Sequence, residues 1–357
     1  MKIDGRVCHD LITASMKQKL GYSDQVNFEE WKEQLRAKFM ELTGLDDIEL
    51  NDSKNPNFEI ESEEQKDGYK QLRCSFESEK GACVVMYVLI PDDIKQGEKR
   101  PLVITQQGHS TGFHNSVGIV KEERDVKYQE TRGKFAVQSV NEGYVTIAVE
   151  NRGMGERAAT SEYDKDGNKI RNVPARGTPG CYYEEVTGIL LGRCLIGERC
   201  FDIKRSIDMM IEHFGDIIDQ KKIVITGNSG GGTLSYYAAC YDKRITLSVP
   251  SSAFCPYPES ILRFYHCSCN YIPHAFKWWD MQDLAGLIAP RRLALINGES
   301  DPSFKADGVR RGYKTVKKIY ERAGAPDNCK SIIMPDHGHW WGVEYVWPTI
   351  REELAKL

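Results

Sequence analysis

The most constraining feature of this chain is an alternation of short apolar segments with helical patterns, which runs from about residue 101 to the C-terminus. The short segments are rich in β-branched residues, as expected for strands that are covered on both faces. Strands that alternate with helices predict a mostly parallel sheet with helices on both faces. The predicted strands are 102–105, 145–149, 222–226, 246–249, 292–296 and 331–334.

The first hundred residues follow a different pattern. Apolar residues recur at helical spacing from Phe28 to Leu42, with Gly44 near the end, which predicts an amphipathic helix packed on the body of the protein. Residues 69–77 and 82–90 are predicted to be two antiparallel strands, because a short glycine-containing link joins them. We therefore expect an N-terminal helix and antiparallel strands beside the parallel part of the sheet.

Two long stretches without strand signals interrupt the alternating pattern. Residues 153–193 and 251–289 are too long for ordinary connections between strands and helices. In open α/β sheets, ligands bind at the carboxyl edge of the strands. We therefore expect both stretches to be insertions that lie over that edge.

Charge and hydropathy exclude several classes of partner. The 357 residues include 48 Lys+Arg and 52 Asp+Glu, for a net charge of -4, and no basic block is present, which argues against nucleic acid or an anionic membrane. The most apolar stretch, 82–90, is far shorter than the roughly 20 residues that span a bilayer. The charged N-terminus does not resemble a secretory signal, so we expect a cytoplasmic location.

A glycine-rich segment directly follows the predicted strand 222–226. Residues 227–232 read Gly-Asn-Ser-Gly-Gly-Gly and contain Gly-x-Ser-x-Gly centred on Ser229, with a helical pattern after them. A serine at such a strand-to-helix turn projects its hydroxyl above the sheet. The alternative is a phosphate-binding loop at a helix N-terminus, but neither the P-loop lysine nor Gly-x-Gly-x-x-Gly spacing is present. We therefore predict that Ser229 is a nucleophile.

A serine nucleophile needs a histidine to take its proton and an acid to orient that histidine. Asp301 follows the predicted strand 292–296, and both His337 and His339 follow the last predicted strand. Each of these residues alone could be an ordinary turn or loop side chain. Their joint occurrence in the order Ser, Asp, His, each just past a strand, favours a catalytic triad.

Such a triad also requires two backbone N–H donors for the oxyanion. Gly230, the residue after the nucleophile, offers one of them. The loop after strand 102–105 offers the other, and we predict the N–H of His109 as that donor. His109 precedes the nucleophile in the chain, which makes it a poor candidate for the base, so its side chain is expected to be structural or to contact substrate.

Eleven cysteines are distributed along the chain, many of them in apolar runs, where they are expected to be reduced core thiols. Only Cys267 and Cys269 form a cluster in the sequence. A metal site needs further ligands at short spacing, and only His266 lies nearby. We therefore expect no metal and no cofactor.

These motifs make the chain from about residue 69 onward resemble the α/β hydrolases, and within them the dienelactone-hydrolase-like and acetyl-xylan-esterase-like proteins. Two departures stand out. Ser229 occupies the position where dienelactone hydrolases proper have cysteine, and Gln107 replaces the usual histidine before Gly108. Beyond the triad, the resemblance rests on Asn151-Arg152-Gly153-Met154-Gly155-Glu156, Leu191-Gly192-Arg193 with Gly197 and Asp202, Cys267-x-Cys269-Asn270-Tyr271-Ile272-Pro273, Ala289-Pro290-Arg291 and Asn297-Gly298-x-x-Asp301.

The resemblance implies the α/β-hydrolase fold, with a catalytic domain over residues 61–357 and an N-terminal helical extension over residues 1–60. It also favours His339 over His337 as the base, because a Gly-His pair followed by a bulky aromatic residue is common in the last loop of this fold. His337 remains the reserve candidate.

The function implied is a serine carboxylic-ester hydrolase that acts on short-acyl esters such as acetyl esters, including acetylated carbohydrates, without a cofactor. Aromatic side chains in and near the insertions are candidates for contacting a sugar ring. The alternatives are a serine peptidase or amidase of the same fold and a non-catalytic binding module. The expected partner is a small-molecule or oligosaccharide ester, and a homo-oligomer stays open. The candidate substrate-binding residues are Trp278, Trp279 and Trp340.

Overall fold

The computed structural model describes residues 4–159, 161–163, 169–172 and 179–357. Nine of the described strands form one sheet, in the spatial order β1-β2-β3-β5-β4-β8-β9-β10-β11, and β6 pairs with β7 separately. The strands are β1 (Glu59–Lys66), β2 (Tyr69–Glu79), β3 (Ala82–Pro91), β4 (Arg100–Gln106), β5 (Val145–Val149), β6 (Ser161–Tyr163), β7 (Lys169–Asn172), β8 (Ile218–Asn228), β9 (Leu247–Ser251), β10 (Arg292–Gly298) and β11 (Cys329–Met334).

The six strands from β5 to β11 in this sheet run parallel, and β1, β2 and β3 form an antiparallel meander beside them. In the register of the central strand β4, Leu102 lies opposite Val145 on one side and Ile223 on the other. The mostly parallel sheet predicted from the sequence is thereby confirmed. Because the strands are parallel, the carboxyl ends of β4, β8, β10 and β11 meet at one edge.

Helices cover both faces of the sheet, which explains the continuous apolar runs of its strands. On β8, Ile223 and Ile225 pack into one core cluster with α7 and α8, whereas Val224 belongs to a second cluster with α11. The helices are α1 (Val7–Ser15), α2 (Phe28–Thr43), α3 (Leu45–Leu50), α4 (Glu123–Arg132), α5 (Phe135–Asn141), α6 (Pro179–Leu190), α7 (Leu195–Phe214), α8 (Gly230–Tyr241), α9 (Ala285–Ile288), α10 (Ala306–Arg322) and α11 (Val343–Leu354).

The predicted N-terminal helix is α2, and it packs on the body of the protein. Its residues Trp31 and Phe39 are buried in the same core cluster as the central strands, and the indole N–H of Trp31 donates to the carbonyl oxygen of Leu20 at 2.8 Å. The helix ends where Gly44 adopts a φ of 72°, a conformation that glycine takes without strain. The predicted boundary between an N-terminal extension and the catalytic domain, at residue 60, falls within β1, which begins at Glu59. This division stays a prediction.

The described parts of the two insertions are built mainly from short elements. The first contains β6, β7 and α6, while residues 160, 164–168 and 173–178 of it lie outside the described part of the chain. The second consists of four 3-10 turns and the short helix α9. No helix among the described residues is long and apolar enough to cross a membrane.

Candidate active site

Ser229 lies in the sharp turn between β8 and α8, with φ 56° and ψ -122°. A positive φ is strained for a residue with a side chain, and such strain concentrates at functional sites. The turn is fixed from both sides, because the Ser229 N–H donates to the Ser251 carbonyl oxygen at 2.9 Å and its own carbonyl accepts from the Thr233 N–H at 2.8 Å. Gly231 is required here, since a Cβ would stand 2.2 Å from the Gln106 carbonyl oxygen.

His339 joins the other two predicted triad residues. Its Nε2 lies 2.7 Å from the Ser229 Oγ, and its Nδ1 lies 2.9 Å from the Asp301 Oδ2. With the proton on Nδ1, the imidazole donates to the carboxylate and accepts from the serine hydroxyl. The result is a continuous hydrogen-bonded chain from a buried carboxylate to a serine side chain.

The loop after β10 orients the side chains of this hydrogen-bonded triad. Asp301 is buried, and its Oδ1 accepts the backbone N–H groups of Ser303 at 2.8 Å and Phe304 at 3.0 Å. The other carboxylate oxygen is therefore directed to the histidine. The ring of Phe304 stacks on the imidazole of His339, with centroids 5.7 Å apart and planes 12° apart. These contacts restrict both the carboxylate and the imidazole.

The loops that carry Asp301 and His339 are held together by backbone contacts. The Glu299 N–H donates to the Met334 carbonyl oxygen at 3.0 Å, and the Ser300 N–H donates to the His337 carbonyl oxygen at 2.9 Å. Gly298 approaches the second loop so closely that a Cβ would lie 2.2 Å from the Gly338 carbonyl oxygen. The neighbouring strands β10 and β11 thus deliver the two side chains to one place.

His337, the reserve candidate for the base, lies in a different environment. Its Nδ1 is 2.9 Å from the Pro335 carbonyl oxygen, and its Nε2 is 2.9 Å from the Glu344 Oε1. Both ring nitrogens therefore have partners outside the triad. The structure brings His339, and not His337, to Ser229.

The residues that carry the two predicted oxyanion donors, Gly230 and His109, are in contact. A Cβ on Gly108 would be 2.8 Å from the Asn228 carbonyl oxygen and 3.3 Å from the Ser229 Cβ, so the loop after β4 passes directly against the nucleophile turn. The ring of His109 lies over Gly230, where a Cβ would come within 2.8 Å of the ring Nδ1. Gly230 opens α8, and the N–H groups of a first helical turn have no partner within the helix.

A cavity of about 200 Å³ opens at Ser229. Burial lowers the pKa of His266 in its wall, and the nearby His339 adds to this shift. His109, Gly230 and part of the segment 251–289 contribute to the lining, so this segment lies beside Ser229 at the carboxyl edge of the sheet. The cavity is lined by His109, Ser229, Gly230, Tyr265, His266, Cys267, Asn270, Ser303, Phe304 and His339.

The three tryptophans expected to contact substrate are not among the residues that line this cavity. Trp279 is fully buried and packs against Phe39, so the prediction for it was wrong. Trp278 packs against the core, with the ammonium of Lys38 4.2 Å from its ring centroid. Trp340 is half exposed, and its ring lies against Gly338. The sequence therefore did not show whether an aromatic residue in an insertion packs in the core or contacts the substrate.

The structure also assembles a group of side chains that the sequence analysis missed. One nitrogen of His109 and the three sulfurs of Cys181, Cys267 and Cys269 all lie within 4.8 Å of one another. Cys267 and Cys269 were noted as a pair, but His266, their neighbour in sequence, packs on Phe304 instead. His109 and Cys181 come from distant parts of the chain, so the sequence spacing did not indicate that they lie beside Cys267 and Cys269.

The strand order, the turn at Ser229 and the side chains beyond β10 and β11 define a protein of the α/β-hydrolase fold. A family model described as the Abhydrolase family matches residues 7–233. This match covers more than half of the chain, and the chain belongs to that family.

Three known proteins are similar to this chain, with sequence identities between 15% and 23%. "Putative hydrolase YtaP" of Bacillus subtilis (strain 168) is 23% identical over 247 residues, which cover 67% of this chain and 73% of that protein. A structure named as a putative acetyl xylan esterase from Bacteroides fragilis NCTC 9343 has a TM-score of 0.75 at 19% identity, covering 99% of this chain and 95% of the other. A glucuronoyl esterase from Solibacter usitatus has a TM-score of 0.63 at 15% identity, covering 96% and 98%. These likenesses establish the shared fold.

Proposed function

We propose that this protein is a serine carboxylic-ester hydrolase with Ser229 as nucleophile, His339 as general base and Asp301 as the acid that orients the histidine. The hydrogen-bonded chain of these three residues, with distances of 2.7 and 2.9 Å, is the observation that carries the proposal. A strained nucleophile turn supports it independently, because the Ser229 backbone lies in a region that L-residues rarely occupy.

In the proposed reaction, His339 takes the hydroxyl proton as Ser229 Oγ attacks the ester carbonyl carbon. The N–H groups of Gly230 and His109 stabilise the negative charge that develops on the carbonyl oxygen. His339 then returns the proton to the leaving alcohol, which leaves an acyl group on Ser229. Water, activated by the same histidine, attacks this acyl group and releases the carboxylic acid.

We assign the acyl group of the ester to the smaller of two adjoining cavities, the one of about 200 Å³ that opens at Ser229. A groove of about 460 Å³ adjoins it and shares Tyr265, His266 and Cys267 with the smaller cavity. We place the alcohol portion of the ester in this groove, where Tyr182, Tyr265 and Tyr271 offer rings to a sugar. Relatives named as acetyl xylan and glucuronoyl esterases agree with this substrate class.

The proposal is tested by a panel of p-nitrophenyl esters, acetylated oligosaccharides and short peptides. We expect hydrolysis of acetyl esters by the wild-type chain and by the control Ser62→Ala, whose side chain is exposed on β1. Ser229→Ala should be inactive on every substrate. If the protein cleaves peptides in preference to esters, it is a peptidase and the esterase proposal is wrong. If it hydrolyses none of these substrates, the result favours a non-catalytic binding module. Cytoplasmic location and homo-oligomer formation remain predictions beside this proposal.

A further inference from the structure

The side chains that converge beside the active-site cavity are here called the thiol–imidazole cluster: His109, Cys181, Cys267 and Cys269. They belong to three separated segments, namely the loop after β4, the first turn of α6 and the 3-10 turn Ser268–Asn270 with its preceding residue. Each residue supplies one ligand atom, and the four atoms lie within 4.8 Å of one another. One contact within the cluster joins His109 Nε2 to Cys269 Sγ at 3.2 Å.

This geometry matches a tetrahedral metal site. Zn²⁺ binds cysteine sulfur at about 2.3 Å and histidine nitrogen at about 2.0–2.1 Å, which puts neighbouring ligand atoms roughly 3.5–3.8 Å apart. The contact of 3.2 Å lies just below that range and no pair of ligand atoms is more than 4.8 Å apart, so small side-chain rotations suffice to reach it. Three sulfurs and one imidazole are a ligand set typical of structural zinc sites, and soft thiolates select against Mg²⁺ and Ca²⁺.

A buried cation beside the cluster provides an independent observation. Arg199 is 1% exposed, and its guanidinium donates to the Cys181 Sγ at 3.2 Å. It also donates to the carbonyl oxygen of Arg152 and hydrogen-bonds the sulfur of Cys269. Burying a charge is costly unless an opposite charge compensates it. Three thiolates around one dication carry a net charge of minus one, which would stabilise this guanidinium together with the nearby carboxyl groups of Glu184 and Glu185.

We propose that the thiol–imidazole cluster binds one Zn²⁺ ion as a closed structural site with four protein ligands. On binding, the three thiols release their protons to solvent while sulfur–zinc and nitrogen–zinc bonds form, and no group is oxidised or reduced. Because all four positions are occupied by protein, the ion holds no water to activate. The earlier expectation of a metal-free protein is replaced by this proposal.

The ion would fasten the loop after β4 to both insertions. His109 lies over Gly230, so fixing its ring also fixes the backbone N–H that we assign to the oxyanion, a consequence that rests on the proposed function. Cys267 lines both the Ser229 cavity and the adjoining groove. Zinc would therefore stabilise the wall that separates the acyl and alcohol sides of the substrate.

Metal analysis of the full chain tests this proposal without reference to activity. We would purify the protein without a metal-affinity step, desalt it and measure metals by mass spectrometry. The expected result is one tightly held zinc ion per chain. Cys181→Ser, Cys267→Ser and Cys269→Ser should each lower zinc content at least about tenfold. Cys240→Ala, a buried cysteine outside the cluster, is the matched control and should keep the ion.

Cobalt substitution of the wild-type chain covers the case in which the variants do not fold. After removal of zinc under reducing conditions, Co²⁺ should produce the charge-transfer and ligand-field bands of a tetrahedral thiolate site. Wild-type protein that contains no zinc and takes up neither Zn²⁺ nor Co²⁺ would overturn the proposal, as would a disulfide between two of the three cysteines. Zinc binding without ester hydrolysis would leave the metal site standing and remove the proposed function.

Discussion

Arg152 and Asp202 form a two-point ion pair in the interior, with Nε to Oδ2 at 2.9 Å and Nη2 to Oδ1 at 2.8 Å. Ser78 also donates to this carboxylate at 2.6 Å, and Arg157 does so at 2.8 Å. Burial alone would raise the pKa of Asp202, but the charges of Arg152 and Arg157 outweigh it and hold the pKa well below its usual range. The pair anchors the turn after β5 to α7, and Asp202 and the turn residues were among the motifs that carried the family resemblance.

Asp202→Asn should destabilise the fold severely. Removing one partner of a buried ion pair costs about 3–5 kcal/mol when the other charge is left uncompensated. We expect the lower end of this range, because Arg152 also pairs with Glu79 at 2.8 Å and with Glu198 at 3.4 Å. Chemical unfolding monitored by circular dichroism would measure this loss. Asp24→Asn, which breaks an exposed pair with Lys318, is the control and should leave the unfolding midpoint unchanged. Equal effects of the two substitutions would contradict the structural role assigned to Asp202.

Glu150→Gln should alter the pH dependence of stability. Burial raises the pKa of Glu150 from 4.5 to about 7, while the N–H groups of Phe113 and Glu156 and the charge of Arg157 oppose the shift and the charge of Glu156 adds to it. Between these values the folded chain retains a proton that the unfolded chain releases, so wild-type stability falls as pH rises through this window.

The variant lacks this titration, so its stability relative to wild type should rise between pH 4.5 and 8 by on the order of 2–3 kcal/mol. Urea unfolding at several pH values measures the difference. Glu130→Gln, at an exposed position on α4, should show no such trend. A constant difference between Glu150→Gln and wild type over the whole range would refute the assignment.

The two histidines beyond β11 should differ sharply when substituted. His339→Ala removes the group within 2.7 Å of the Ser229 Oγ and should lower kcat at least about 10³-fold. His337→Ala removes contacts to Pro335, Glu344 and the ring of Tyr345, all of them outside the triad, and should cost less than about tenfold in kcat. Steady-state kinetics with p-nitrophenyl acetate distinguishes them, and the reverse ranking would move the base to His337.

Acyl chain length should affect the rate strongly. We propose that the acyl chain lies in the cavity of about 200 Å³ at Ser229, and the resemblance to acetyl xylan esterases predicts that this side of the site is selective for short chains. We expect kcat/KM for the two short esters to exceed that for the octanoyl ester at least about tenfold, or roughly 1.4 kcal/mol in transition-state stabilisation. A preference for octanoyl esters would refute the short-acyl proposal and leave the triad proposal intact.

The sequence predicted those parts of the molecule that depend on local patterns. The parallel strands were visible because residues such as Ile223, Val224 and Ile225 are buried on both faces and form continuous apolar runs. The edge strand β1 was missed because its residues, including Glu61 and Glu63, are exposed or nearly so and carry no alternation of apolar and polar positions.

The candidate site likewise contains residues that the sequence pattern grouped together and residues that it did not. Ser229, Asp301 and His339 each follow a strand, and parallel strands bring their carboxyl ends together, so the sequence order was sufficient to group them. Cys181 meets His109 only through the packing of α6 against the second insertion, which no periodicity encodes. Trp279 was wrongly predicted to contact substrate, because core aromatics and ligand-binding aromatics have the same local sequence pattern.

Covalent labelling tests the central claim most directly, because it reports the reactivity of one serine in the folded chain. After incubation with a fluorophosphonate, intact-mass analysis should show a single adduct, and peptide mapping should place it on Ser229. Labelling should be lost in Ser229→Ala, slowed in His339→Ala and retained in Ser62→Ala. An unlabelled wild-type chain, or an adduct on another serine while Ser229 stays unmodified, would contradict the account.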